Sequence, residues 1–454
     1  MQITETVSEG LRREYTIVIA ADDLEARLTG RIEEMKPRLH LKGFRPGKAP
    51  LSYLRKTFGK SLMGEIVEQA VSETSQKTVA ERELKPAFPP RVDVVSQMQQ
   101  VVEGKSDLEF TVKVDLMPEF ELADVSKLEV ETLVADITDA DHDDALQRVA
   151  EQARTYSARG EDEAAENKDS VRIDFVGRVD GQEFTGGKAE DLNLVLGSGQ
   201  FLPGFEDRLI GARSGDEREV KITFPGDYPQ ANLAGKDAVF DVKVKEVRKP
   251  DPLNIDDELA KRLGLDSAGL LKERIREQLK TDFTRASRMH LKRRILDALD
   301  REHAFSLPPT MVEGEFDAIW KRVVAELERE GKTAEDEGKS EAELKKEYRD
   351  IAERRVRLGL VLARIGEQNG ITVAPDEVQR AIASRARQFP GQEQQVFNFY
   401  TQNSQAQAEI RAPLFEEKVV DFIAELAQVS ERKVDRETLF LDPDEAAEKL
   451  NTEK

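Results

Sequence analysis

At 454 residues the chain is too long for a single hydrophobic core, and its length fits about three domains. Charged residues make up 35% and aromatics 6%, which suits long solvent-washed helices more than a compact enzyme core; the absence of cysteine excludes disulfides, thiolate catalysis and cysteine zinc sites. The formal net charge of -21 turns polyanions away from most of the surface, so a nucleic-acid partner requires a local exception.

Position adds further exclusions. His40, His142, His290 and His303 stand at no metal-ligand spacing, and neither a metal nor a cofactor is expected. The opening Met1-Gln2-Ile3-Thr4-Glu5 carries an acid where a secretory leader is apolar. No stretch approaches the length of a membrane span, so the chain reads as soluble and cytoplasmic, without a membrane partner.

In chain order, the alternation of Tyr15, Ile17 and Ile19 predicts a strand. Behind Asp22 and Asp23, Leu24, Leu28, Ile32, Met35 and Leu39 recur at helical spacing. Pro37 lies inside that pattern, where it removes a donor and clashes with the preceding turn, so a kink or early end is expected there. Then comes Gly43-Phe44-Arg45-Pro46-Gly47-Lys48-Ala49-Pro50, a glycine-bounded loop with one ring and two cations. Residues 31–60 hold nine Lys/Arg against Glu33 and Glu34, a net +7 that leaves -28 for the rest of the chain. A phosphate-cradling P-loop is excluded, because three residues rather than four separate the glycines and Ala49 follows Lys48. The loop reads either as a plain helix–loop–helix connection or as a cationic tip for a phosphate-rich surface, with Phe44 anchoring and Arg45 and Lys48 pairing. Leu51, Leu54, Phe58, Leu62, Ile66 and Ala70 predict a second helix; beyond Pro86, Pro89 and Pro90, the alternation Leu108, Phe110, Val112, Val114, Leu116 predicts a strand that closes an α+β domain over 1–117.

Residues 118–168 read as an acidic linker, part of which packs with the C-terminal body. Asp139, Asp141, Asp143 and Asp144 suggest calcium, but an EF-hand loop starting at Asp139 needs Gly at 144 and Glu at 150, where the chain has Asp144 and Ala150. A capped helix start is the better reading. From 169 to 249 the texture becomes short alternating strands punctuated by glycine, with Asp180-Gly181 as a hairpin signal. Residues 250–440 are mainly helical: Phe316, Ile319, Trp320, Val323, Val324 and Leu327 form one apolar face, and Leu344, Tyr348, Ile351, Leu358, Leu362 and Ile365 another. The polar connection over 331–338 makes them an antiparallel arm, with further helices around 378–389, 396–400 and 414–426. The acidic tail, 441–454, is expected to be disordered.

The β-rich module concentrates Phe175, Phe184, Phe201, Leu202, Phe205, Tyr228 and Phe240 in under 80 residues. A plain sheet core explains some of them. The segments Phe184-Thr185-Gly186-Gly187, Gly197-Ser198-Gly199-Gln200-Phe201-Leu202-Pro203-Gly204-Phe205-Glu206 and Phe224-Pro225-Gly226-Asp227-Tyr228 carry more, and there the module resembles FKBP-type peptidyl-prolyl isomerases. The resemblance implies that those seven residues line the proline pocket, Phe201 to Phe205 forming its floor. Phe205 stands where many relatives carry Trp, and Thr185 where many carry Asp.

With the loop Gly43-Phe44-Arg45-x-Gly47-Lys48 before that module and long helices after it, nearly the whole chain resembles the bacterial trigger factor family. The resemblance implies a multidomain α+β protein: an N-terminal α+β ribosome-binding domain, an FKBP-like isomerase domain and an elongated all-α C-terminal domain with helical arms. It makes Gly43, Phe44, Arg45, Pro46, Gly47 and Lys48 the contacts to the large ribosomal subunit beside the nascent-chain exit, rRNA and protein together. Pro46 stands where some relatives carry a further cation. Nascent and unfolded polypeptides are the implied clients, with Leu307, Met311, Trp320, Phe389 and Phe399 as candidate contacts that also suit a helix core. A second copy of the chain is the implied partner of the free protein. A free cytosolic proline isomerase with substrate-recruiting flanks and no ribosome docking is the alternative.

Overall fold

The computed structural model describes all residues except 40, 42, 43, 45, 46, 161, 227, 229, 231, 232, 334–337, 453 and 454, and describes Thr185, Glu330 and Asn451 by backbone alone. The chain divides into two compact units, each built from separated segments: 1–133 with 288–432, and 134–287 with 433–454.

The first unit begins with a four-stranded antiparallel sheet and two helices. Strands β1 (Gln2–Glu9) and β2 (Arg12–Ile19) form a hairpin, followed by helices α1 (Ala21–Met35) and α2 (Leu51–Glu81). Then come β3 (Arg91–Val94), the short helix α3 (Met98–Val102) and β4 (Leu108–Asp115), in sheet order β1-β2-β4-β3. The alternation in β2 and β4 buries Tyr15, Ile17, Ile19, Leu108, Phe110, Val112 and Val114 against Leu24, Leu28, Leu54, Met63 and Val67 of the two helices. Helix α1 ends at Met35, two residues before Pro37, as proline requires. Helix α2 runs eleven residues beyond Ala70, the last position of its apolar pattern.

Past the acidic connection, β5 (Glu129–Val134) leads to the second unit and α4 (Asp139–Gln152). Thr138 and Asp141 close a reciprocal capping box: Thr138 Oγ1 accepts from the Asp141 N–H at 3.2 Å, and the Asp141 carboxylate accepts from the Thr138 N–H at 2.8 Å. The acidic run is therefore a helix start. Strands β6 (Tyr156–Ala158), β7 (Ser170–Val179), β8 (Gln182–Val195), β9 (Glu217–Thr223) and β10 (Asp237–Pro250) form an antiparallel sheet in which β10 pairs with β6, β7 and β9. The β7–β8 turn is Asp180-Gly181, both at positive φ (53° and 78°), the geometry of a two-residue hairpin loop. Helix α5 (Asp257–Arg262) follows, then the 35-residue α6 (Ala268–Glu302), along which the chain passes from the second unit to the first.

In the first unit, α7 (Pro309–Glu330) and α8 (Glu341–Gln368) pack antiparallel: Val312 joins Val356 and Leu360 in one cluster, and Trp320 meets Tyr348 edge-on at 6.2 Å. Helices α9 (Pro375–Ala386), α10 (Glu393–Gln402) and α11 (Ser404–Leu426) and strand β11 (Gln428–Lys433), which pairs with β5, complete the body. Its core joins Leu128 and Val130 to Ile295, Leu299, Val361, Ile365, Val419 and Ile423. Asp115, at the end of β4, accepts from the Thr310 N–H at 2.8 Å and so caps α7 from 195 residues away. Among the described residues no helix is long and apolar enough to cross a membrane.

The second unit closes with α12 (Arg436–Phe440) and α13 (Pro443–Thr452). The last helix corrects the expectation of a disordered tail: Ala446 and Leu450, four apart, are both buried. One apolar stripe in an otherwise charged ten-residue segment suffices to dock it.

Candidate functional site

The aromatic side chains of the β-rich module converge from three strands, the loop between β8 and β9, and the connection from β9 to β10, which carries Phe224 and Tyr228. Phe175 stands on β7, Phe184 on β8 and Phe240 on β10; Phe201, Leu202 and Phe205 come from the loop. Phe175 meets Phe201 at 5.7 Å, Phe205 at 6.0 Å and Phe240 at 5.8 Å between ring centres; Phe205 meets Phe240 at 5.4 Å, nearly perpendicular. The chain of rings continues through Phe184, 6.1 Å from Phe240, to Phe224 at 5.7 Å and on to Tyr228, 4.7 Å from Phe224. Edge-to-face contact dominates, as the positive rim and negative face of each ring favour.

Burial sorts these residues into two tiers. Phe205 is fully buried, and Phe175, Phe224 and Phe240 nearly so. Phe184, Phe201, Leu202 and Tyr228 are half-buried and lie over that base. All seven residues singled out from the sequence thus meet in one cluster. Phe224, which sequence reasoning did not select, links Phe184 to Tyr228. The Tyr228 hydroxyl has no hydrogen-bond partner among the described residues, so its O–H is free to donate. Thr185 is described by its backbone only.

Two glycines and one carboxylate hold the rings in place. A Cβ on Gly177 would lie 2.5 Å from Phe240 Cε1 and 3.1 Å from Phe184 Cε1; one on Gly187 would lie 3.0 Å from the Phe184 ring. Both absences of a side chain therefore leave room that the Phe184 and Phe240 rings occupy. Glu206, 7% exposed, turns its carboxylate back on the loop: it accepts from Ser198 Oγ at 3.2 Å, the Gly199 N–H at 3.1 Å and the Phe201 N–H at 3.2 Å. Burial works to raise its pKa, but these donors outweigh burial and hold the carboxyl below the ordinary glutamate range. Glu206 thereby fixes the backbone that carries Phe201 and Leu202. Its place in the glycine-rich loop was the available sequence signal.

At the α1–α2 connection, Gly43, Arg45 and Pro46 lie outside the described residues. Phe44 is half-buried, packs on the N-terminal core and tilts against Tyr53 at 5.0 Å. Gly47 has φ 79°, a conformation suited to glycine. Lys48 is exposed, and beside it Leu51, which sequence reasoning placed only within a helix pattern, and Tyr53, which it did not single out, are exposed apolar residues. Lys36, Arg38, Lys48 and Lys56 form no ion pair with any described residue, whereas Arg55 pairs with Glu25 and Lys60 with Glu103.

In the helical region the five apolar candidates separate. Leu307 and Met311 pack against Val312, Val356 and Leu360, and Trp320 lies between Phe316 and Tyr348 with Lys345 Nζ 5.3 Å over its ring. Those three are half-buried and take part in packing. Phe389 and Phe399 are 42% and 56% exposed.

Comparison with known proteins agrees with this layout. Residues 1–149 match the family described as bacterial trigger factor protein, 161–245 match FKBP-type peptidyl-prolyl cis-trans isomerase, and 269–425 match the bacterial trigger factor C-terminus. Trigger factor from Parvibaculum lavamentivorans is 53% identical over 444 residues, covering 98% of this chain and 87% of that protein. Its counterpart from Maricaulis maris is 51% identical over 99% of this chain and 87% of its own, and that from Azorhizobium caulinodans 48% identical over 98% and 100%. A solved structure reported as "Promiscuous Substrate Recognition in Folding and Assembly Activities of the Trigger Factor Chaperone" superposes with TM-score 0.56 over 94% of this chain and 99% of that one, at 18% identity, and so shares the fold. Similar to such proteins along nearly its whole length, and carrying the isomerase module between the two trigger factor segments, the chain belongs to the bacterial trigger factor family and is a chaperone with an FKBP-type peptidyl-prolyl isomerase domain.

Proposed function

We propose that this protein docks on the large ribosomal subunit beside the nascent-chain exit, holds the emerging unfolded chain, and isomerises its X-Pro bonds over the aromatic cluster. Docking uses the 43–48 loop: Phe44 anchors, Arg45 and Lys48 pair with phosphates, and Gly43, Pro46 and Gly47 complete the contact. The supporting observation is that Lys36, Arg38, Lys48 and Lys56, on either side of the loop in sequence, pair with no described residue while Leu51 and Tyr53 are exposed, in a chain otherwise strongly acidic. Phosphate-rich RNA attracts those charges and is repelled elsewhere. Clients then meet Phe389 and Phe399, whose exposure suits a holding surface.

The isomerase step needs no acid, base or nucleophile. Rotation about an X-Pro bond crosses a barrier of about 18–20 kcal/mol because it breaks amide resonance. The planar amide is more polar than the twisted one, so a site that replaces water with aromatic rings favours the twisted state. In this reading Phe175, Phe205 and Phe240 make the dry base, Phe184, Phe201 and Leu202 enclose the proline ring, and the free Tyr228 O–H donates to the substrate carbonyl. Exchange spectroscopy on a proline tetrapeptide tests it: the full-length protein accelerates cis/trans exchange and Phe205→Ala loses most of that acceleration. An unchanged rate in a folded Phe205→Ala protein contradicts the site.

A further inference from the structure

The N-terminal sheet and α2 enclose a groove of about 780 Å³ that the functions above leave unused. Val71 and Val79 of α2, Leu84 beyond its end and Val92 of β3 form its apolar lining; all four are half-buried, packed on the N-terminal core on one side and open on the other. Among the described residues Glu68 and Glu83 are the only ionised side chains that line it, and neither pairs with a described cation.

The strand that borders this groove is an unfinished edge. β3 pairs with β4 and with no other described strand. The Val95 N–H donates to Glu109 O at 2.9 Å, toward β4. Alternation along an antiparallel ladder then turns the N–H and C=O of Val92 and Val94 away from the sheet. Pro89 and Pro90, which carry no N–H, precede them, so pairing on that edge can start only at β3 itself. Unpaired main-chain groups beside an apolar trough are the two requirements for recognition by strand addition, in which the backbone supplies affinity and alternate side chains fill the trough.

We propose that the groove receives an extended segment of another polypeptide as an added strand on β3, with alternate apolar side chains on Val71, Val79 and Leu84 and flanking Lys or Arg residues meeting Glu68 and Glu83. An anionic ligand is repelled by the two carboxylates, and a small apolar molecule leaves the edge of β3 unpaired. The site belongs to residues 68–92, outside both the isomerase module and the cationic loop, and stands independently of either.

Fluorescence anisotropy with the full-length protein and a labelled Lys-Val-Thr-Val-Thr-Val-Lys peptide, which contains no proline, tests this. Saturable binding is expected. Ser72→Trp, at an exposed position on α2 that lines the groove, should weaken binding at least tenfold without changing proline isomerase activity. Glu68→Lys combined with Glu83→Lys should weaken this peptide about tenfold but not a Glu-flanked version. A peptide N-methylated at alternate residues should lose binding. Undiminished affinity in Ser72→Trp, or equal binding of the N-methylated peptide, overturns the proposal. A peptide that fails to bind while sedimentation shows a dimer abolished by Ser72→Trp overturns it too, by assigning the groove to a second copy.

Discussion

At the residue scale, the aromatic cluster depends on groups outside it. Gly177 faces Phe240 across the β7–β10 ladder, and a methyl there would sit inside contact distance of two rings. Gly177→Ala should displace Phe240 and Phe184, lower the exchange rate and cost about 1–3 kcal/mol as overpacking; a proline tetrapeptide assay and thermal unfolding of the full-length protein read both effects. Glu206 makes a prediction with a sign. Its folded pKa is depressed, so its contribution to stability is complete above the ordinary glutamate value of about 4.3 and is lost as pH falls through the folded pKa. Glu206→Gln should therefore speed hydrogen exchange of the Gly199 and Phe201 amides at pH 7, with the difference from wild type shrinking in acid. The gathering of the seven residues into one cluster was legible because aromatic residues fell in spaced, glycine-bounded segments, although Phe201 and Leu202, expected in its floor, lie half-buried over the base. The roles of Glu206 and Phe224 were not, since a glutamate's direction and a ring's neighbours depend on how the loop folds back.

At the element scale, strong periodicity located α1, α7, α8 and the alternating strands, and its absence hid others. β1 exposes most of its residues and shifts register between Glu5 and Val7, which breaks the period-two pattern. β11 reads Gln-Val-Ser-Glu-Arg-Lys and is almost entirely exposed; only pairing with β5 makes it a strand. Helix α6 buries Leu271 and Ile275 in one core and Ile295 and Leu299 in another, so no single face stays apolar along its 35 residues. The capped start of α4 was readable because its chemistry is local, whereas Thr138 as the cap emerged only from the structure. Thr138→Ala should cost about 1 kcal/mol, measured as a lower midpoint for the thermal transition of the unit containing α4. Asp141 also accepts from Arg436 Nη1 at 2.8 Å, so the same substitution should raise exchange in α12.

At the scale of the whole molecule, charge and order decide the assignment. A net +7 between residues 31 and 60 stands against -28 elsewhere, and a proline isomerase followed by long helices suits a client that is still unfolded. The sequence order suggested successive domains. The two compact units are discontinuous, because Asp115 caps α7 and Leu128 and Val130 enter the helical core, contacts between residues far apart in the chain that no local pattern announces. Ribosome docking is tested by co-sedimentation with ribosomes across a salt series. The full-length protein should pellet at low salt and release as ionic strength passes about 0.1 M, where screening acts over about 10 Å, while the combined Phe44→Ala, Arg45→Ala and Lys48→Ala variant should stay in the supernatant with its isomerase activity intact. Wild type remaining in the supernatant at low salt, or the triple variant pelleting as wild type does, would contradict the account.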